Sequence, residues 1–128
     1  MENYNLFLDD ERIPKDVTRY ISDIRYIQNI WFIVRSYDQF VSIIKEEGIP
    51  KIVSFDHDLA DFHYKCQNDI KYDEMEEKTG YHCARWLINY CIDNKLNLPK
   101  TVLIHSMNNV GAENIRSLFN TYNKVYGK

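Results

Sequence analysis

The chain has 128 residues, 45% of them hydrophobic and 27% charged, with a net charge of −3. That balance fits one compact domain, residues 1–128, and excludes wholesale disorder. The acidic balance excludes general capture of a DNA or RNA backbone, which needs a basic face, but not a small phosphate-bearing ligand held by a few local groups.

Three cysteines (Cys66, Cys83, Cys91) with no CxxC pair argue against a disulfide framework or a thiolate zinc site. The N-terminus lacks the pattern of a signal peptide, and no apolar run approaches the ~20 residues of a membrane span. A soluble, cytoplasmic domain is expected.

Leu6-Phe7-Leu8 reads as a short buried strand that stops at Asp9-Asp10-Glu11-Arg12, with Pro14 beyond. Residues 15–29 suit a ragged helix or a hairpin equally. Ile30 to Val34, β-branched and aromatic, predict a second buried strand. Ser36-Tyr37-Asp38-Gln39 has the form of a capping box, followed by Phe40, Ile43 and Ile44 at helical spacing and by Gly48 and Pro50 as stops. Lys51 to Phe55 predict a third strand, ending in Asp56-His57-Asp58. Residues 60–78, polar and acidic without a clean period, read as a long excursion over a site. Thr79-Gly80 opens a helix whose inward stripe is Cys83, Trp86, Leu87, Tyr90 and Cys91. Thr101 to Ile104 form a fourth strand ending in His105-Ser106, and a last helix carries Ile115, Leu118, Phe119 and Tyr122 inward.

This alternation predicts an α/β domain in three layers, with a mostly parallel four-stranded sheet. Ligands of such sheets collect beyond the carboxyl ends of the strands. Three of the four strands end in concentrated polar chemistry, and that is where function is sought.

Asp9 and Asp10 repel one another unless a cation neutralises them. With Asp56 from another strand they form an oxygen-rich set suited to Mg²⁺, with Mn²⁺ as the alternative. An Asp that merely caps a loop is the bland competitor, and the convergence of two strand ends weighs against it. His57 and His105 are candidates for proton transfer, although adjacent residues in a strand point to opposite faces, which counts against His57. His63 and His82 read as surface or loop residues. Asn108 to Asn114, with Gly111 at the turn, offer backbone N–H groups for phosphate, beside Ser106. Arg12 and Arg35 are candidates to clamp phosphate, or to pair with the acidic excursion.

These motifs resemble a known family. Leu6 to Arg12 are similar to the opening of a response-regulator receiver domain; Asp56 then falls at the phosphoacceptor position, Asp58 where a metal-ligand carbonyl is expected, and His105 where receivers keep a hydroxyl residue. The closer resemblance is to the cyclic-phosphate processing receiver domain, carried by Leu8–Arg12, Val34–Asp38, Ser54–Leu59, Thr79–Tyr81, His105–Asn108, Gly111 and Asn114-Ile115. Asn109 departs from the family's usual Pro. The resemblance implies a shortened receiver (flavodoxin-like) fold without the fifth strand and its lysine. It also implies a metal-dependent phosphoesterase acting on a cyclic phosphate of a nucleotide or RNA end, with Asp9, Asp10, Asp56 and Asp58 at the metal, Asp56, His105 and His57 catalytic, and Arg12, Arg35, Ser106, Asn108, Gly111 and Asn114 on phosphate. A non-catalytic or phospho-accepting signalling module is the alternative.

Overall fold

The computed structural model describes residues 4–59 and 78–126. Four strands, β1 (Asn5–Leu8), β2 (Trp31–Val34), β3 (Ile52–Phe55) and β4 (Thr101–Ile104), form one all-parallel sheet in the order β2-β1-β3-β4. The described residues contain no fifth strand. Strands β1 and β3 are central, which is why Leu6-Phe7-Leu8 and Val53-Ser54-Phe55 are wholly buried. Central parallel strands are covered on both faces and so tolerate apolar residues without alternation.

Three long helices, α3 (Tyr37–Glu47), α4 (Gly80–Asp93) and α5 (Asn109–Tyr126), cover one face. Phe40 and Ile44, then Cys83, Leu87 and Cys91, then Ile115 and Phe119, pack there against Leu6, Leu8, Val53 and Phe55. The other face carries a thinner layer, in which Val17 and Tyr26 pack on Phe7 with Trp31 and Leu103. The ambiguous segment 15–29 supplies that layer as two four-residue helices, α1 (Pro14–Val17) and α2 (Arg25–Gln28), joined by turns. Its apolar residues had to serve a small patch of sheet, so no long helical or strand period developed.

Two packing expectations need correction. Strand β2 is an edge strand, and Phe32 and Ile33 are 40% and 36% exposed. Trp86 and Tyr90 of α4 are only partly buried and stack on each other at 4.7 Å, while Ala84 and Ile88 take the deeper positions.

Helix ends follow local chemistry. Ser36 Oγ accepts from the Gln39 amide at 3.2 Å, while the Gln39 side chain accepts from the Arg35 amide at 2.7 Å, so the reciprocal cap reaches one residue further back than the usual box. Gly48 ends α3 at φ +91°, a conformation that favours glycine. At α4 the Thr79 amide and hydroxyl both meet His82 Nδ1, at 2.9 and 3.0 Å. His82 is therefore a buried capping residue rather than a surface or loop one. Apart from Lys78, the excursion expected at 60–78 lies outside the described residues, as do His63 and Cys66.

Candidate active site at the sheet's carboxyl rim

Register assembles the site. Leu8 pairs with Phe55 and Phe55 with Ile104, and all three face the large core. The next residues, Asp9, Asp56 and His105, continue the ladder: the Asp56 amide donates to Leu8 O at 3.0 Å and the His105 amide to Phe55 O at 2.9 Å. Successive side chains alternate between faces, so these three turn together toward the thin layer. Ligand atoms of Asp9, Asp56 and His105 lie within 4.8 Å of one another, and all three residues are buried. His57, one residue beyond Asp56, goes to the opposite face.

Asp9 is fixed from every side. Its Oδ1 accepts from the Glu11 and Arg12 amides, each at 2.9 Å. Its Oδ2 accepts from Arg12 Nη1 at 3.2 Å and lies 3.1 Å from His105 Nε2. Burial alone would push this carboxyl up, but the His105 bond and the two amides outweigh it and bring it down to about 2. Asp56 has fewer partners: Oδ1 accepts from the His57 amide at 2.9 Å, and Oδ2 faces Arg12 Nη1 at 3.8 Å. Burial first, then the Asp9 charge, raises Asp56 to about 7, with Arg12 opposing.

His105 is fully buried, stacked on Phe7 at 4.4 Å with the rings within 9° of parallel. Burial disfavours its charged form; the Asp9 contact opposes but does not overcome this. Arg12 lies over the Tyr20 ring at 5.5 Å and donates to Met107 Sδ at 3.4 Å. It also forms one wall of a depression of about 550 Å³ lined by Glu11, Asp16, Arg19, Tyr20 and Met107.

The other expected residues sit differently. Asp10 is half-exposed at the rim and outside the three-residue cluster. The Asp58 carboxylate is also outside that cluster and meets His57 Nδ1 (2.7 Å) and Asn108 Nδ2 (3.2 Å). Arg35 Nη1 donates to the carbonyls of Asp9 (3.1 Å) and Arg12 (2.7 Å), shaping the acidic loop instead of facing solvent as a clamp. Ser106 Oγ accepts from the Asn108 amide at 3.1 Å, and Asn108 Oδ1 accepts from the Gly111 amide at 3.0 Å. Gly111 thus gives its N–H to a cap, not to an anion. A Cβ on Gly111 would fall 2.3 Å from the His57 ring, so close packing on His57 is what requires glycine there. Asn114 lines a groove of about 770 Å³ between α4 and α5, away from Asp9 and Asp56.

Sequence reasoning missed four residues: Ser54, Tyr26, Tyr20 and Met107. Only Ser54 carried a signal, a lone hydroxyl in the buried run Ile-Val-Ser-Phe. Tyr20 donates to the His105 carbonyl at 2.7 Å, pinning the β4 end to the thin layer.

Sheet order, buried acidic rim and histidine after β4 define a receiver-like α/β domain. More narrowly, the cyclic-phosphate processing receiver domain model matches residues 4–121, and the chain belongs to that family. No curated protein and no solved structure matches the chain significantly. No helix among the described residues is long and apolar enough to cross a membrane.

Proposed function

We propose that this domain is a metal-dependent phosphoesterase that opens a cyclic phosphate on a nucleotide or RNA end. The observation that carries the reading is the buried convergence of Asp9, Asp56 and His105 beneath Arg12. The donor chemistry fits a hard divalent cation. Two carboxylates share one buried rim, and burial first, then the Asp9 charge, raises Asp56 to about 7 against the opposing Arg12. Asp9 and Asp56 would hold Mg²⁺ or Mn²⁺, with Asp10 at the outer edge. When bound, such an ion neutralises phosphate charge and makes water more acidic.

The chain's own groups supply the rest. Arg12 reaches over the cluster and meets an entering phosphate with a planar, permanently charged donor. Of the Asp9 and Asp56 carboxylate oxygens, Asp56 Oδ2 has the fewest partners. It takes a proton from the attacking water as the ring P–O bond breaks, and that proton passes to the departing ester oxygen. His105 donates to Asp9 and holds that carboxylate in place. The substrate's organic group occupies the depression beside Tyr20 and Met107. His57, Asp58, Asn108 and Ser106 tie the β3 end to the start of α5, bordering the site without entering the carboxylate cluster.

The test is a panel of 2′,3′- and 3′,5′-cyclic phosphates with Mg²⁺ or Mn²⁺, followed by separation of the products. Turnover of at least one class, abolished by Asp56→Asn and by chelator, is expected. No turnover by pure folded protein across the panel overturns the reading. Labelling of Asp56 by acetyl phosphate without turnover would favour a phospho-accepting module instead.

A further inference from the structure

Behind His105 the structure holds a chain of polar groups that the proposed reaction does not use. His105 Nδ1 lies 2.6 Å from Ser54 Oγ, and Ser54 Oγ lies 2.7 Å from the Tyr26 hydroxyl. All four residues from Asp9 to Tyr26 are buried. Tyr26 is itself boxed in, stacked on Trp31 at 5.6 Å and packed edge-on against Phe7 and His105. A hydroxyl pair this deep beside a sheet is costly unless every donor and acceptor is used.

The protons along this chain can be placed in only one order. Asp9 already accepts from the Glu11 and Arg12 amides and from Arg12 Nη1, so it meets His105 as an acceptor too, and His105 Nε2 carries a hydrogen. Among the described residues the Tyr26 hydroxyl has Ser54 Oγ as its one hydrogen-bond partner, so its hydrogen goes there and the Ser54 hydrogen is left for Nδ1. Ser54 therefore donates to Nδ1, and its oxygen accepts from Tyr26. Burial pushes the Tyr26 phenol up to about 12, with the Ser54 bond opposing, so it keeps the hydrogen it donates. Direction runs from Tyr26 through Ser54 and His105 to Asp9 without a break.

We propose that Ser54 and Tyr26 are positioning residues, holding His105 as a neutral Nε2–H donor that presents the Asp9 carboxylate in the geometry a divalent cation requires. His105 then acts through Asp9, as a hydrogen-bonded support of a ligating carboxylate and not as a base toward water. Removing outer partners of this type costs about 10- to 100-fold in metal affinity elsewhere. The inference rests on the functional reading for its metal, but the state of the imidazole is a property of the protein alone.

The experiment combines heteronuclear NMR of the imidazole nitrogens with Mn²⁺ titration of wild type, Ser54→Ala and Tyr26→Phe, each checked for fold by circular dichroism. Wild-type His105 is expected to carry hydrogen on Nε2 and a bare Nδ1 at neutral pH. Both variants should move the ring signals and weaken Mn²⁺ binding about tenfold. A hydrogen on Nδ1 in wild type overturns the inference, as do variants with unchanged ring signals and affinity. If wild type binds no Mn²⁺, the functional reading fails by itself, and the inference is decided by whether the two variants displace the ring signals. Tyr26→Phe removes one oxygen from a ring that keeps its packing, so it remains informative if Ser54→Ala does not fold.

Discussion

Asp9 and Asp56 are neighbours with opposite electrostatic outcomes, and each leaves a signature in stability against pH. Asp9, lowered to about 2 from 3.8, contributes stability that is present above pH 3.8 and lost as pH falls through about 2. Asp56, raised to about 7 from 3.8, works the other way. Its unfolded carboxyl ionises first, so its contribution is intact below pH 3.8 and is lost as pH rises through about 7. A cation that binds the ionised pair offsets that loss by mass action. The rise in melting temperature caused by Mg²⁺ should therefore be larger at about pH 8 than at about pH 5, and should vanish in Asp56→Asn. An equal Mg²⁺ effect at both values would contradict this assignment. Gly111→Ala is a second residue-level test. Alanine gains at most about 1 kcal/mol of helix propensity, whereas its Cβ meets the buried His57 ring at 2.3 Å. Overpacking of that kind costs about 1–3 kcal/mol, so a net loss is expected in chemical denaturation.

At the scale of elements, the ends are tied more firmly than the lengths would indicate. The α3 cap at Ser36 is a local device, so Ser36→Ala should cost about 1 kcal/mol and lower the melting temperature by a few degrees. It should leave Mg²⁺ binding intact, because Arg35 holds the acidic loop through backbone carbonyls of Asp9 and Arg12 and not through the cap. Strand and helix identity was legible in the apolar runs and stops: Leu6 to Leu8, Ile52 to Phe55, Ser36 to Gly48. Exposure was not, because Ile30 to Val34 read the same at an edge as in the centre. The functions of Gly111 and Asn108 were also hidden. Asn and Gly at a helix start serve an anion or an internal cap with the same residue types, and only the position of His57 from another strand decides.

The whole molecule works as a register device. A parallel sheet in the order β2-β1-β3-β4 brings Asp9, Asp56 and His105 into one row from positions 47 and 49 residues apart. The strand ends made the first two acids and the histidine visible in the sequence. The facing rule already counted against His57, the neighbour of Asp56, but only the pairing register puts His105 in the same row as the acids. The support behind the site, Tyr26 and Ser54, was invisible because Tyr26 comes from the segment with no period at all.

The account depends on a divalent cation seated between Asp9 and Asp56. Crystals grown with Mn²⁺ and measured for anomalous scattering test it directly. The predicted result is one strong peak in contact with both carboxylates, absent in Asp56→Asn. A peak on Asp58 alone, or none at the carboxyl rim with Mn²⁺ in excess, would contradict it.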